Sequence, residues 1–174
     1  MKHKFFLAIA MIVTCSIMIS AFIARPFAYT FSSITPELGE VKDKLELSQA
    51  IFQTKGKTST TSSTYNISGI KSTMRIKISE AFFQAKSDQT TGSMNPADYI
   101  SLYKITVGKS TRSFTIKTDG SANAMLIPIV FRNRDLITYR VTPSSGLLPG
   151  EYAFIDKSTT TAEGNVTVWT FGID

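Results

Sequence analysis

Apolar and polar residues alternate with a period of two through most of the C-terminal part of the chain, which is typical of half-buried β-strands. The clearest case is the stretch 146–174. Its first run, residues 151–156, carries Tyr152 and Phe154 on one side, and its second run, residues 166–173, is rich in β-branched and aromatic residues. A turn containing proline and glycine precedes the first run, and a polar loop joins the two. We therefore predict a hairpin against which the other strands pack.

Further short runs of this kind precede the hairpin, and turn signals such as Asp119-Gly120 separate them. They cover residues 74–78, 81–85, 99–107, 112–118, 124–131 and 136–141. About seven or eight strands between residues 65 and 174, with no long amphipathic helix among them, predict an all-β fold: an antiparallel, immunoglobulin-like β-sandwich. The Cys…Trp…Cys core of antibody domains is absent, so the expected likeness is one of architecture only.

The run 124–131 is the most apolar and fits a strand buried on both faces. Pro128 cannot donate a hydrogen bond to a sheet, so this strand is predicted to be an edge or to contain a bulge. An open edge also offers a place where a partner can add a strand.

The region before residue 65 has weaker patterning. Residues 36–52 fit either a helix with Pro36 at its first position or a strand, and residues 55–64 form a polar stretch of low complexity. We therefore divide the chain into an N-terminal segment (residues 1–28), a linker or short N-terminal element (29–64) and a β-sandwich domain (65–174).

The N-terminal segment combines the basic start MKHK with nineteen uncharged residues, Phe5–Ile23, and predicts an apolar helix. This layout is typical of an export signal. The same stretch would span roughly 28 Å as a helix, which also suits an uncleaved membrane anchor. Attachment of a lipid at Cys15 is a third interpretation, which Thr14 before the cysteine disfavours. All three place the domain outside the cytoplasm, in the periplasm or at the cell surface, and any contact with a membrane would run through residues 5–23.

Composition excludes several kinds of catalytic and metal site from residues 29–174. The only histidine is His3 and the only cysteine is Cys15, so residues 29–174 contain neither. They therefore cannot form a disulfide, a Cys/His zinc site or a catalytic dyad that uses histidine or cysteine. Lack of cysteine also argues against a disulfide-stapled secreted module and favours a bacterial envelope. We expect no cofactor and no metal.

Net charge is modest once the N-terminal segment is set aside. Three of the 19 Lys and Arg residues precede residue 29, whereas all 13 Asp and Glu residues follow it, so the remainder carries +3. That charge is too small and too scattered for nucleic-acid binding. Seven cations nevertheless fall between residues 104 and 140, and they define a candidate surface for an anionic partner: Lys104, Lys109, Arg112, Lys117, Arg132, Arg134 and Arg140.

Two other groups of residues are candidates for a functional site. Glu151 with Asp156, or Asp119 with Asp135, would have to meet across strands to act as the acid and base of a hydrolase. Five aromatic residues offer a platform for stacking carbohydrate, although a lone tryptophan more often fills the core of such a domain. They are Tyr99, Tyr103, Tyr139, Tyr152 and Trp169.

The turn and strand Pro149-Gly150-Glu151-Tyr152-Ala153-Phe154 and the closing Phe171-Gly172-Ile173-Asp174 resemble a class of exported bacterial β-sandwich domains of uncharacterised function. The resemblance covers residues 65–174. It implies a β-rich envelope domain without an activity, and it transfers no catalytic or binding residue.

These observations favour an exported envelope module that binds or assembles with another component and has no catalytic activity. Its expected partner is an envelope protein or an anionic surface polymer. The alternative is a hydrolase that uses carboxylates or a Ser-Lys pair, because histidine and cysteine are missing.

Overall fold

The computed structural model describes residues 29–53, 61–88 and 95–174. The predicted N-terminal helix, with its export or anchor function, therefore lies outside the described residues, as does most of the polar stretch 55–64. Within the described ranges, no helix is both long enough and apolar enough to cross a bilayer.

Strands dominate the described residues, and the predicted all-β class is confirmed. They are β1 (Tyr29–Ile34), β2 (Val41–Lys44), β3 (Glu46–Phe52), β4 (Ser62–Ser68), β5 (Arg75–Ile76), β6 (Phe83–Ser87), β7 (Ile100–Val107), β8 (Thr111–Lys117), β9 (Leu126–Ile127), β10 (Ile129–Asn133), β11 (Thr138–Pro143), β12 (Gly150–Asp156) and β13 (Val166–Ile173). The helical segments are one short α-helix, α1 (Pro96–Tyr99), and two 3-10 turns, Ile78–Glu80 and Lys157–Thr159.

Five strands form an antiparallel sheet in the order β10-β11-β6-β1-β2, which we call the open sheet. Its inner face presents the buried side chains of Phe31, Phe83 and Val141. They alternate with polar residues on the outer face, as expected for a sheet with one side in water.

The other layer closes on itself. Strands β12-β13-β3-β4-β8-β7 follow one another, and β7 pairs back with β12 from Glu151↔Ile105 to Asp156↔Ile100. We call this layer the barrel. Strand β9 adds to β7, and β5 runs parallel to the end of β13.

This closure corrects the predicted immunoglobulin-like sandwich, which would consist of two open sheets. The predicted number of strands was also too low, since ten strands lie between residues 62 and 173. The two additional strands are β4, which no predicted run covers, and a second strand within the run 124–131, which divides into β9 and β10.

Residues 29–52 contribute strands to both layers of the fold. Strand β1 lies between β6 and β2 in the open sheet, and β3 lies between β13 and β4 in the barrel. The ambiguous stretch 36–52 consequently forms strands β2 and β3. Its pattern was unclear because β2 is exposed along its whole length and β3 buries only Ala50 fully.

The predicted hairpin is confirmed as β12 and β13, which pair over seven residues from Gly150↔Ile173 to Asp156↔Thr167. Both faces of β12 are buried. Phe154 points to the open sheet and stacks on Phe31 with 4.5 Å between ring centroids, whereas Ala153 and Ile155 fill the barrel. This hairpin therefore separates the two hydrophobic cores.

Pro128 marks the point where the chain leaves the barrel for the open sheet. The apolar run 124–131 divides there into β9, which pairs with β7, and β10, which pairs with β11. Strand β10 is an edge of the open sheet, as the proline predicted. The run is only half-buried, so the prediction of a strand buried on both faces was wrong.

Candidate functional site

The seven cations predicted to share one surface lie in three places. Lys104, Lys109 and Lys117 lie on the barrel, and Arg132, Arg134 and Arg140 lie on the outer face of the open sheet. Arg112 is only 1% exposed and lies inside the barrel, so it does not belong to any surface. The structure therefore brings three of the seven together.

Strand alternation explains why these arginines face outward. On β10 and β11, Phe131 and Val141 belong to the core, so the residues next to them, Arg132 and Arg140, point to the outer face. Arg132 and Arg140 are direct cross-strand partners. Like charges placed directly opposite each other destabilise an antiparallel pair.

Neutral groups hold two of the three arginines. Arg140 Nη2 donates to the carbonyl oxygen of Pro36 at 3.1 Å, and its guanidinium lies 5.2 Å from the ring centroid of Phe82. Arg134 Nη1 donates to the carbonyl oxygen of Gly39 at 2.8 Å and to Gln84 Oε1 at 3.3 Å. Among the described residues, none of the three arginines forms a salt bridge.

Two shallow grooves on the outer face meet at Arg140. The first, which we call the arginine groove, has a volume of about 310 Å³. It is lined by Phe82, Val130, Arg132, Arg140, Thr142 and Pro143. The second, of about 160 Å³, is lined by Ile34, Glu37, Leu38, Gly39, Arg134 and Arg140. Together they place guanidinium groups beside apolar side chains and, in the second groove, beside Glu37. Guanidinium groups have the N–H geometry that matches the oxygens of phosphate and carboxylate.

A second concentration of charge closes one end of the barrel, and we call it the barrel-end cluster. It consists of Glu46, Ser72, Arg75, Arg112, Glu151, Thr170 and Asp174. Glu151 is its centre, because one of its carboxylate oxygens accepts from Arg112 Nη1 at 3.2 Å and from the Ser72 amide at 2.8 Å, and the other forms an ion pair with Arg75.

The cluster connects the turn and strand at residues 149–154 with the closing residues 171–174. Glu151, which follows Pro149 and Gly150, lies directly opposite Gly172 on β13. The guanidinium of Arg75 occupies the space where a side chain at position 172 would lie, and it forms ion pairs with both Glu151 and Asp174. The two motifs therefore meet at Arg75.

Glu46 is held by hydrogen bonds within the same cluster. Partial burial raises the pKa of its carboxyl, but donors from Ser72, Thr73 and Thr170, together with the charge of Arg112, outweigh that effect and leave the pKa below its usual value. Ser72 Oγ lies 2.5 Å from Glu46 Oε2, and Ser72 is 4% exposed. A serine so enclosed and so bonded cannot reach a substrate carbonyl without local opening of the barrel end.

The two predicted carboxylate pairs do not converge. Glu151 points into the barrel, whereas Asp156, five residues later on the same strand, faces the open sheet. Asp119 accepts from Ser121, and Asp135 accepts from the amide of Ile137, so each carboxylate belongs to its own turn.

Asp156 is a separate buried carboxyl group. It is fully buried, its Oδ1 accepts from the amide and hydroxyl of Ser158, and its Oδ2 has no hydrogen-bond partner among the described residues. Burial raises the pKa of Asp156. Burial, with the nearby Tyr139 and Asp156, also raises the pKa of Tyr29 to about 12.

The aromatic residues do not form an exposed platform. Trp169 is 5% exposed and packs against Phe31 in the core, as a lone tryptophan was expected to do. Tyr103 and Tyr152 are buried as well.

Comparison of the chain with protein-family models, with curated proteins and with solved structures found no match.

Proposed function

We propose that this chain is an exported, non-enzymatic binding module of the bacterial envelope, and that its partner presents phosphate or carboxylate groups to the outer face of the open sheet. The arginine groove supplies the contacts. Guanidinium groups suit this task because their fixed forks of N–H donors match the oxygens of phosphate and carboxylate.

The observation that carries the proposal is the direct opposition of Arg132 and Arg140 without a carboxylate partner in the described chain. Two like charges in these positions weaken the sheet. An anion bound between them would attract both arginines, so the pair would stabilise the bound protein although it destabilises the free one.

The alternative of strand addition receives less support. Strand β2 is one edge of the open sheet, but it carries Lys42, Asp43 and Lys44, and Lys42 forms a salt bridge of 2.9 Å with Glu80. Charged residues of this kind protect an edge strand from pairing with another chain. Hydrolysis receives less support too, because the predicted carboxylate pairs do not converge.

The test is a titration of the full chain, kept in an uncharged detergent, with soluble polyphosphate and, in parallel, with polyglutamate. Arg132 is exposed and donates no hydrogen bond within the described residues, so Arg132→Glu changes charge without removing a hydrogen bond. We expect this substitution to lower the affinity for the preferred polyanion by roughly thirtyfold at low salt, because it changes the charge by two units and each unit near an anionic surface contributes about 1 kcal/mol.

Lys109→Glu is the matched control. It changes the net charge by the same amount at an exposed turn of the barrel. Equal losses of affinity for the two variants would show that net charge alone attracts the polyanion, and would contradict the proposed site.

A further inference from the structure

The outer face of the open sheet is built from two adjacent rows of different chemistry. One row crosses all five strands through cross-strand partners and contains no acidic residue: Arg132, Arg140, Gln84, Ser32 and Lys44. The three cations at its ends leave the row with a charge of +3. We call it the basic row.

The neighbouring row is apolar apart from one hydroxyl. It runs Val130, Thr142, Phe82, Ile34 and Val41. Val130 pairs with Thr142, Ile34 donates its amide to the carbonyl of Phe82 at 2.9 Å, and Ile34 pairs with Val41. Thr142 and Phe82 line the arginine groove together. We call this the apolar row.

Several side chains of the apolar row and its surroundings are exposed. Val130 is 46% exposed and Val41 is 52% exposed, whereas Ile34 between them is buried. Leu38, in the turn that follows the same end of β1, is 71% exposed. Arg134 and Arg140 hold this turn by hydrogen bonds to Gly39 and Pro36, so Leu38 is presented from a fixed position beside the arginines.

The spacing of the rows matches one kind of partner. Outward-facing residues on a strand are two positions apart, so the rows are separated by roughly 6.6 Å. A soluble polyanion would use the basic row alone. At the surface of a bilayer, phosphates lie above an apolar layer, and the apolar faces of amphipathic helices enter that boundary to a depth of about 5–10 Å.

We propose that the partner of the outer face is the surface of an anionic phospholipid bilayer. The cations of the basic row and Arg134 contact the headgroup phosphates, while the exposed side chains of Val130, Val41 and Leu38 enter the boundary between headgroups and acyl chains. The inference rests on the proposed function and names the class of anion that the arginine groove receives.

An environment-sensitive fluorophore at position 38 tests this docking. The only native cysteine is Cys15, so the full chain with Cys15→Ser and Leu38→Cys carries one label. The chain is mixed with phosphatidylcholine vesicles that contain or lack phosphatidylglycerol. The readout comes from the outer face itself, so it remains informative even if residues 5–23 enter the vesicles. We expect a blue shift with the anionic vesicles only.

Two comparisons make the result specific. Leu47, on the barrel strand β3, is 65% exposed, so a label at Leu47→Cys should show no shift. Arg132→Gln should weaken the docking equilibrium at position 38 roughly fivefold, whereas Lys109→Gln should leave it unchanged.

The remaining outcomes overturn the inference in distinguishable ways. Equal shifts on neutral and anionic vesicles, or equal shifts at positions 38 and 47, would show adsorption without the basic row. Binding of soluble polyphosphate that depends on Arg132, with no shift on any vesicle, would overturn docking to a bilayer and leave the proposed function standing. Failure of both polyanion and vesicle binding would overturn the two together.

Discussion

Arginines occupy two contrasting environments in this molecule. In the barrel-end cluster, Arg75 and Arg112 form ion pairs with Glu151, and Arg112 is 1% exposed. On the outer face of the open sheet, Arg134 and Arg140 donate to carbonyl oxygens, and neither they nor Arg132 meets a carboxylate within the described residues.

The arginines of the barrel-end cluster therefore stabilise the fold, whereas the arginines of the open sheet keep a charge that no carboxylate of the described chain neutralises. Arg112, inside the barrel, is neutralised by Glu151, because a buried charge without a partner is strongly unfavourable. On the outer face the guanidiniums are solvated, so no such requirement applies and their charge is directed to solvent. Removing a charge should therefore have different consequences in the two regions. At the barrel end it should lower stability, and on the open sheet it should lower binding.

Glu151→Gln should give the largest effect on stability. The substitution keeps the shape of the side chain but leaves Arg112 buried without a carboxylate, and losing one partner of a buried pair typically costs about 3–5 kcal/mol. We expect the free energy of unfolding, measured by urea titration, to fall by that amount. The melting temperature should fall by on the order of 10 °C.

Glu163→Gln is the control for this substitution, since Glu163 is exposed in a loop. It should change the free energy of unfolding by less than about 0.5 kcal/mol. A similar small change for Glu151→Gln would mean that the barrel-end cluster does not stabilise the fold.

The contrast between the two regions was only partly visible in the sequence. Alternation identified β12, β13, β7 and β8, because each buries a regular set of side chains on at least one face. It could not show that the barrel closes, since closure depends on the pairing of β7 with β12, two segments more than forty residues apart. Strand β4 was missed because it buries only Tyr65 and Ile67, whereas the predicted strand at 74–78 is reduced to the two residues of β5.

The candidate anion-binding surface was also only partly visible in the sequence. The structure places Arg132, Arg134 and Arg140 on one face of the open sheet, whereas Arg112, predicted for the same surface, has a strand position that shares a face with the buried Phe114. That shared phase was the signal that Arg112 is buried. Its carboxylate partner could not be identified, because Glu151 reaches it only through the closed barrel.

Gly172→Ala should give a smaller loss at the barrel end. A methyl group at position 172 would overlap the guanidinium of Arg75 and displace it from Glu151 and Asp174. We expect a loss of about 1–3 kcal/mol in the free energy of unfolding, measured by urea titration.

Gly146→Ala is the matched control, because a side chain there would meet open space. In an Arg75→Ala background, Gly172→Ala should cost much less, since the overlap is gone. Additive effects of Arg75→Ala and Gly172→Ala would contradict the assigned contact.

Acid should weaken the barrel end through Glu46. Burial opposes ionisation of Glu46, but the hydrogen bonds from Ser72, Thr73 and Thr170 prevail, so the pKa in the folded state lies below the usual 4.5. The resulting stabilisation is complete above that unfolded-state pKa and is lost as the pH falls toward the folded-state value. Glu46→Gln should therefore lower stability by about 1 kcal/mol at pH 7 and reduce the difference from the native chain below pH 4. A difference that stays constant from pH 7 to pH 3 in urea titrations would exclude this linkage.

Arg132→Gln should have the smallest effect on stability and therefore sharpens the comparison most. The residue is exposed, donates no hydrogen bond within the described chain and lies opposite Arg140, so its removal relieves a like-charge contact. We expect the free energy of unfolding to stay within about 0.5 kcal/mol of the native value and to rise slightly at low salt, where screening is weakest.

Arg112→Gln, measured beside it, should lose several kcal/mol because it leaves Glu151 without its buried partner. If Arg132→Gln instead destabilised the protein as much as Arg112→Gln, the arginines of the open sheet would also belong to the fold, and their charge would no longer be evidence for a partner.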